Sequence, residues 1–301
     1  GRADSRSLSE LCEALLSERG EVSGQVLACT MLERFESMDA AEQAAFFELL
    51  SNEFDIDATQ VVDAATHYAE QPDVTHFKRL RAVAEPRRQE VLRRLNSAPG
   101  ATHRLVRMRE KLLALLAGQP ELARVDQDFQ HLFVSWFNRG FLVMRHIDWQ
   151  SPASLLDKII AYEAVHAIHD WDDLRRRLQP ADRRCFAFFH PAMPDEPLIF
   201  VEVALVRERP GSIEDVLADE REPIDLANAK SAIFYSISNC HRGLAGVSLG
   251  DFLIKSVVEE LTTELVNLKT FATLSPIPGF RGWLQNMLAD PESSADLSAL
   301  S

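Results

Sequence analysis

The chain is short of cysteine, of net positive charge and of long apolar runs, and each shortage closes a class of explanation. Its four cysteines, Cys12, Cys29, Cys185 and Cys240, lie far apart among 301 residues, with no C-x-x-C. That spacing fits free thiols in a reducing compartment, taken as the cytoplasm, rather than a disulfide scaffold. Lys and Arg number 32 against 46 Asp and Glu, a formal charge of -14. This is the wrong sign for general attraction to nucleic acid or anionic lipid, so a phosphate-bearing ligand has to be held locally. No apolar run approaches the ~18 residues of a membrane span. Glu202 interrupts the best stretch, Leu198 to Val206, and the polar start Gly1 to Glu10 has no signal-peptide core. What remains is a 46% hydrophobic chain long enough for about two globular domains.

From Leu8 to about Arg139, apolar residues recur at three- and four-residue spacing, which predicts helix after helix. The first stripes are Leu11, Leu15 and Leu16, then Val26, Met31 and Phe35, then Phe46, Phe47, Leu49 and Leu50. Turn residues place breaks at Gly20 to Gly24, Asn52 to Asp57, Gln71 to Asp73, Ser97 to Gly100 and Gly118 to Pro120. Between Lys78 and Lys111, eleven Lys or Arg face only Glu85, Glu90 and Glu110. Without interleaved aromatics, a solvated helical face or an interface to an acidic neighbour outweighs a nucleic-acid surface.

After Trp136 the pattern changes. A helical segment, Pro152 to Ala167, leads to strand candidates Cys185 to Phe189, Leu198 to Val206 and Ala232 to Ser238. Leu249, Leu253, Val257, Leu261 and Leu265 then trace one side of a long helix, and a fourth strand candidate, Phe271 to Leu274, follows. Strand, loop, helix and strand predict a right-handed crossover between parallel strands, so the fold class is α + α/β, with a helical domain over residues 1–138 and a mixed α/β domain over 139–301.

The segment Ser236 to Asp251 lies between a predicted strand and a helix start, where unpaired amides can receive a phosphate. Gly243, Gly246 and Gly250 permit close backbone approach, and His241 and Arg242 add local positive charge. The loop is neither G-x-G-x-x-G nor a Walker loop, so its glycines alone are weak evidence. Ser248 with Asp251 fits a capping box whose carboxylate would repel an axial diphosphate, which favours the amides of Leu244 to Val247 as donors. Ser275, after the fourth strand, leaves from the same carboxyl edge as this loop, and Pro276, Pro278 and Gly279 restrict the backbone beyond it. A plain turn explains Ser275 equally well. His190 could face a cleft, though a structural hydrogen bond is the commoner use. His166 and His169 beside Asp170, Asp172 and Asp173 lack a third ligand at diagnostic spacing, so no metal is expected. Glu202 inside a strand has to be paired, neutralised or at an edge.

Phe186-Ala-Phe-Phe-His-Pro, Ala232-Ile-Phe-Tyr-Ser-Ile-Ser, Gly243-Leu-Ala-Gly-Val-Ser-Leu-Gly, Phe252-Leu-Ile-Lys-Ser-Val-Val-Glu-Glu-Leu and Leu274-Ser-Pro-Ile-Pro-Gly-Phe resemble the malonyl-CoA decarboxylase family in order and spacing. The likeness extends to Ser135-Trp-Phe-Asn-Arg-Gly-Phe-Leu and Glu163-Ala-Val-His, and so covers both halves. It implies a helical domain with oligomer contacts, here a homo-oligomer, and a catalytic domain of the acetyltransferase-like GNAT fold, present only in part. It implies decarboxylation of malonyl-CoA to acetyl-CoA and CO2, controlling malonyl-CoA levels in fatty-acid metabolism, with no cofactor beyond the CoA of the substrate. The resemblance places Ala245, Gly246, Val247, Ser248, Leu249, Gly250 and Asp251 in the CoA-binding region and makes Ser275 the active-site serine, with His190, Arg242 and Gly243 as further candidates. Against the general acetyltransferase pattern R/Q-x-x-G-x-G/A the loop departs, with Gly243 at the Arg/Gln position and Ser248 at the last. The family also carries a catalytic histidine beyond the Ser-Pro-Ile-Pro-Gly-Phe motif. None of the nine histidines here follows His241, so that group is expected outside this sequence. Two rival functions use the same residues: an acyl-CoA acyltransferase, and a non-catalytic CoA-binding module.

Overall fold

The computed structural model describes residues 5–18, 20–277 and 279–289. Its first part is helical: α1 (Leu8–Ser17), α2 (Glu21–Ser37), α3 (Ala40–Asn52), α4 (Ala58–Glu70), α5 (Val74–Ala84), α6 (Arg87–Leu95), α7 (Ala101–Leu115) and α8 (Ala123–Trp136). Local chemistry sets several starts. Ser7, Asp39, Asp57 and Asp73 accept first-turn amides, and Ser7 with Glu10 and Asp39 with Glu42 form reciprocal capping boxes. Two details differ from the turn reading. Gly24 lies inside α2, which has already begun at Glu21, and Val26 is exposed while Met31 and Phe35 are buried. Phe35 packs its ring 5.5 Å from Phe46 and 5.6 Å from Phe47, the centre of the first core.

The second part runs β1 (Val143–Ile147), α9 (Ala153–Tyr162), α10 (Trp171–Leu178), β2 (Arg183–His190), β3 (Met193–Val206), α11 (Ile213–Leu217), β4 (Ser231–Asn239), α12 (Gly250–Glu264), β5 (Thr270–Thr273) and α13 (Phe280–Ala289). Among the described residues the strands form one sheet in the order β1-β2-β3-β4-β5, five where the sequence pattern indicates four. The missed strand is β1, an edge strand of which only Ile147 is fully buried, so it carries no apolar run. The helix expected from Pro152 to Ala167 ends at Tyr162, because Glu163 turns out to extended φ and ψ.

The sheet is mixed. Only Pro191 and Ala192 separate β2 from β3, a link that antiparallel strands alone can make. The amides of Lys230 and Cys240 donate to the carbonyls of Val206 and Leu198, so β3 and β4 are antiparallel too. β4 and β5 are parallel in the register Ser231↔Thr270 to Phe234↔Thr273, with α12 as the crossover helix that the sequence predicts. β3 and β4 are apolar on both faces, as strands covered on both sides must be.

Contacts group the chain into two compact units that interleave in sequence. One comprises Gly1–Arg145, Ala187–Ile199 and Asn239–Leu253; the other comprises His146–Phe186, Phe200–Ser238 and Ile254–Ser301. The β2–β3 turn and the glycine loop therefore condense with the helices. In the second unit Ala204, Val216, Ile233 and Tyr235 form a buried cluster against which Ala272 and Leu274 pack.

Candidate active site

In the first unit the glycine loop leaves β4 and makes a short 3-10 turn at Arg242–Leu244. Its shape depends on α7. Gly243 sits so close to that helix that a Cβ would lie 2.0 Å from the Val106 carbonyl oxygen. Arg109, buried on α7, donates from Nη1 to the carbonyls of Gly243 at 3.0 Å and Ala245 at 2.8 Å. Asp126 on α8 holds the same guanidinium through its Nε at 2.8 Å. Gln130 donates to the Gly246 carbonyl at 3.2 Å, and Gly246 itself has a φ of 81°, a left-handed conformation that favours glycine.

Asn239, His241, Arg242, Leu244, Ala245, Gly246 and Val247 surround a cavity of about 260 Å³. Arg242, Ala245 and Gly246 are exposed at it, whereas Gly243 is buried against α7. Of the amides expected to receive a phosphate, those of Leu244, Ala245 and Val247 donate within the loop to His241, Arg242 and Leu244. The first intrahelical bond of α12 runs from the Leu253 amide to the Leu249 carbonyl, so Leu249 and not Ser248 occupies the cap position expected from the capping-box pattern. Ser248 and Asp251 are exposed, Gly250 is half-buried, and the Leu249 side chain is buried.

In the second unit Leu274 extends the β4–β5 ladder by donating its amide to the Phe234 carbonyl at 2.9 Å. Ser275 is the next residue and is exposed; Pro278 lies outside the described residues. Continuing the parallel register puts Ser275 level with Ser236 on β4. A cluster that sequence reasoning missed occupies this end of β4. The Glu163 carboxylate accepts the Ser236 hydroxyl at 2.7 and 2.8 Å, the Ser238 hydroxyl at 3.1 Å, and the amides of Val165 and His166. Its sequence signals were Ser-x-Ser near the end of a strand and the Glu163-Ala-Val-His motif, 73 residues apart from Ser236 and with nothing local to join them.

The remaining candidates have structural partners. His190 engages the Trp136 carbonyl through Nε2 and the Ala192 amide through Nδ1, and burial lowers its pKa. His166 and His169 give backbone amides to Glu163 and Asp173, while Asp170 caps α10 and Asp173 grips Arg177. Among the described residues, no group of three His, Cys, Asp or Glu is arranged to hold a metal, and no helix is long and apolar enough to cross a membrane. Glu202 is fully buried and paired with Arg177 at 3.2 Å, as a carboxylate inside a strand requires.

Residues 140–300 match the model of the malonyl-CoA decarboxylase C-terminal domain, and residues 54–137 match that of its N-terminal domain. The chain belongs to the malonyl-CoA decarboxylase family. Its fold is similar to the crystal structure of malonyl-CoA decarboxylase from Rhodopseudomonas palustris, at 54% identity and TM-score 0.86 over 94% of this chain and 69% of that one. The Agrobacterium vitis malonyl-CoA decarboxylase structure is similar at 53% identity and TM-score 0.89, over 95% and 69%. Mitochondrial malonyl-CoA decarboxylases of the goose Anser anser anser and of Rattus norvegicus are 40% and 33% identical over 70% and 83% of this chain. Those matches cover 43% and 54% of the relatives, so the chain spans about half the length of the curated decarboxylases it matches.

Proposed function

We propose that this chain decarboxylates malonyl-CoA to acetyl-CoA and CO2. Membership of the decarboxylase family across both matched regions carries the reading. Breaking the bond to the carboxylate leaves CO2 and an enolate of the thioester, and one proton on that carbanion gives acetyl-CoA. Catalysis therefore needs the carboxylate turned out of the carbonyl plane, donors for the thioester oxygen, and a proton. In this reading residues Ala245 to Asp251 hold the CoA, with Arg242 lending charge at the cavity rim. Ser275, exposed just past β5, orients the carboxylate or passes the proton. The step itself calls for no metal or organic cofactor, because the thioester is its own electron sink.

Turnover of malonyl-CoA to acetyl-CoA and CO2 without an amine acceptor is the test, and failure to release CO2 in any folded form would refute it. In the form that turns over, Ser275→Ala should lower kcat roughly 10²- to 10³-fold with binding nearly intact. Its exposed position predicts little change in folding, so full turnover in the variant would make Ser275 a turn residue only.

The same reading assigns the helical region to self-association. It is supported by α5, which buries none of its residues, and by the exposure of Val62 on α4 and Val74 on α5. It also places the chain in the cytoplasm, consistent with four cysteines that form no disulfide.

A further inference from the structure

The eleven cations between Lys78 and Lys111 are largely neutralised inside the first unit. Arg79 pairs with Asp63, Arg87 with Glu13, Arg88 with Asp55 and Asp128, Arg93 with Glu85 and Glu90, Arg94 with Glu90, Arg104 with Glu36, and Arg109 with Asp126. Among the described residues, Lys78, Arg81, Arg107 and Lys111 have no acidic partner. Two of these four, Arg107 and Lys111, come together on α7. With Arg104 they recur at three- and four-residue spacing, so they share one helix face.

That face lines a cavity of about 660 Å³. Phe35 and Met108 give it an apolar wall, Arg104, Arg107 and Lys111 a cationic one with His103 alongside, and Glu36 is the single acid among its lining residues. Glu36 is already committed to a two-bond pair with Arg104 at 2.6 and 2.7 Å. A protein carrying a formal charge of -14 thus keeps a net positive cavity whose two outer cations are exposed. The cavity also adjoins the glycine loop. His103, in its lining, packs edge-on against His241, in the lining of the loop cavity, with ring centroids 5.6 Å apart.

We infer that Arg107 and Lys111 bind the phosphomonoester on the nucleotide end of CoA, so that the helical domain reads the 3′-phosphate while the glycine loop holds the diphosphate. This rests on the CoA reading above and adds to it a second subsite, on α7 of the same compact unit as the loop. The chemistry fits each wall. A phosphomonoester is a concentrated dianion that two unpartnered cations match, and the apolar wall accepts part of the nucleoside.

Isothermal titration of CoA and of dephospho-CoA, which lacks only that phosphate, tests it on the intact chain. CoA should bind about tenfold more tightly than dephospho-CoA. Arg107→Ala with Lys111→Ala should erase the difference while leaving dephospho-CoA affinity unchanged. Lys78→Ala with Arg81→Ala removes the same charge outside the cavity and should preserve the difference. Both residues of each pair are exposed, and circular dichroism verifies that the variants fold. A preference that survives the first pair, or is lost equally in the second, overturns the inference while CoA binding stands. No preference in the parent chain, with inorganic phosphate alone bound at the cavity, makes it a free-anion site and also overturns it. Failure of both CoA forms to bind removes the CoA reading itself, and the inference with it.

Discussion

Glu202 carries no solvent exposure, and burial pushes its carboxyl up to about 8 even with the Arg177 guanidinium beside it. The carboxylates of Glu163 and Asp173 add to the rise, and burial also raises the Tyr235 hydroxyl nearby. The ordinary value is 4.5, so the folded state holds this proton more tightly than the unfolded chain does. The stability it contributes is complete below 4.5 and is lost as pH rises through about 8. Each pH unit in that window is worth at most about 1.4 kcal/mol. Glu202→Gln stays neutral throughout and keeps an acceptor for Arg177, so its stability should fall less between pH 5 and 8 than that of the parent. His190 and His241, whose pKa values are lowered by burial, act in the opposite sense in both proteins and cancel in the comparison. Urea melts at three pH values measure the difference, and equal slopes would show that Glu202 is ionised throughout.

Helix α7 uses two faces for two tasks: one clamps the glycine loop through Val106 and Arg109, and the other carries Arg104, Arg107 and Lys111. This division separates the two glycines of the loop. A methyl group at Gly243 would meet backbone, the Val106 carbonyl, which cannot move without shifting the helix. At Gly246 it would meet the Gln130 side chain at 2.4 Å, which can swing aside, plus the strain of a positive φ. Gly243→Ala should therefore cost about 3 kcal/mol or more and Gly246→Ala about 1 kcal/mol, as denaturant midpoints would report. The reverse order would mean that the loop is not held on α7. Gly243, a candidate for ligand approach by sequence, is thereby explained by packing.

At the scale of the molecule, the basic stretch is mostly an internal device. Seven of its cations find carboxylates within the first unit, leaving little free positive field to attract polyanions. Self-association should instead follow the apolar residues on α4 and α5. Val62→Glu with Val74→Glu changes exposed positions, so the fold should persist while the mass by light scattering falls toward that of one chain. An unchanged mass would move the association surface elsewhere.

Local rules were readable along the chain. Apolar stripes at three- and four-residue spacing mark the helices of the first part, the apolar runs mark β2 to β5, and the leucine-spaced helix between two strands specifies the parallel β4–β5 pair. These depend on residues a few positions apart, and the family motifs likewise lie in continuous stretches. β1 was not legible, since an edge strand has too little buried surface to leave a pattern. The loop's clamp was not legible either. Arg109 and the Gly243 carbonyl are 134 residues apart, and nothing near either residue specifies the other. The same holds for Glu163 with Ser236 and for the one cavity where Arg107 and Lys111 meet. Sequence spacing sets which face of a helix a side chain occupies; only packing decides what that face meets.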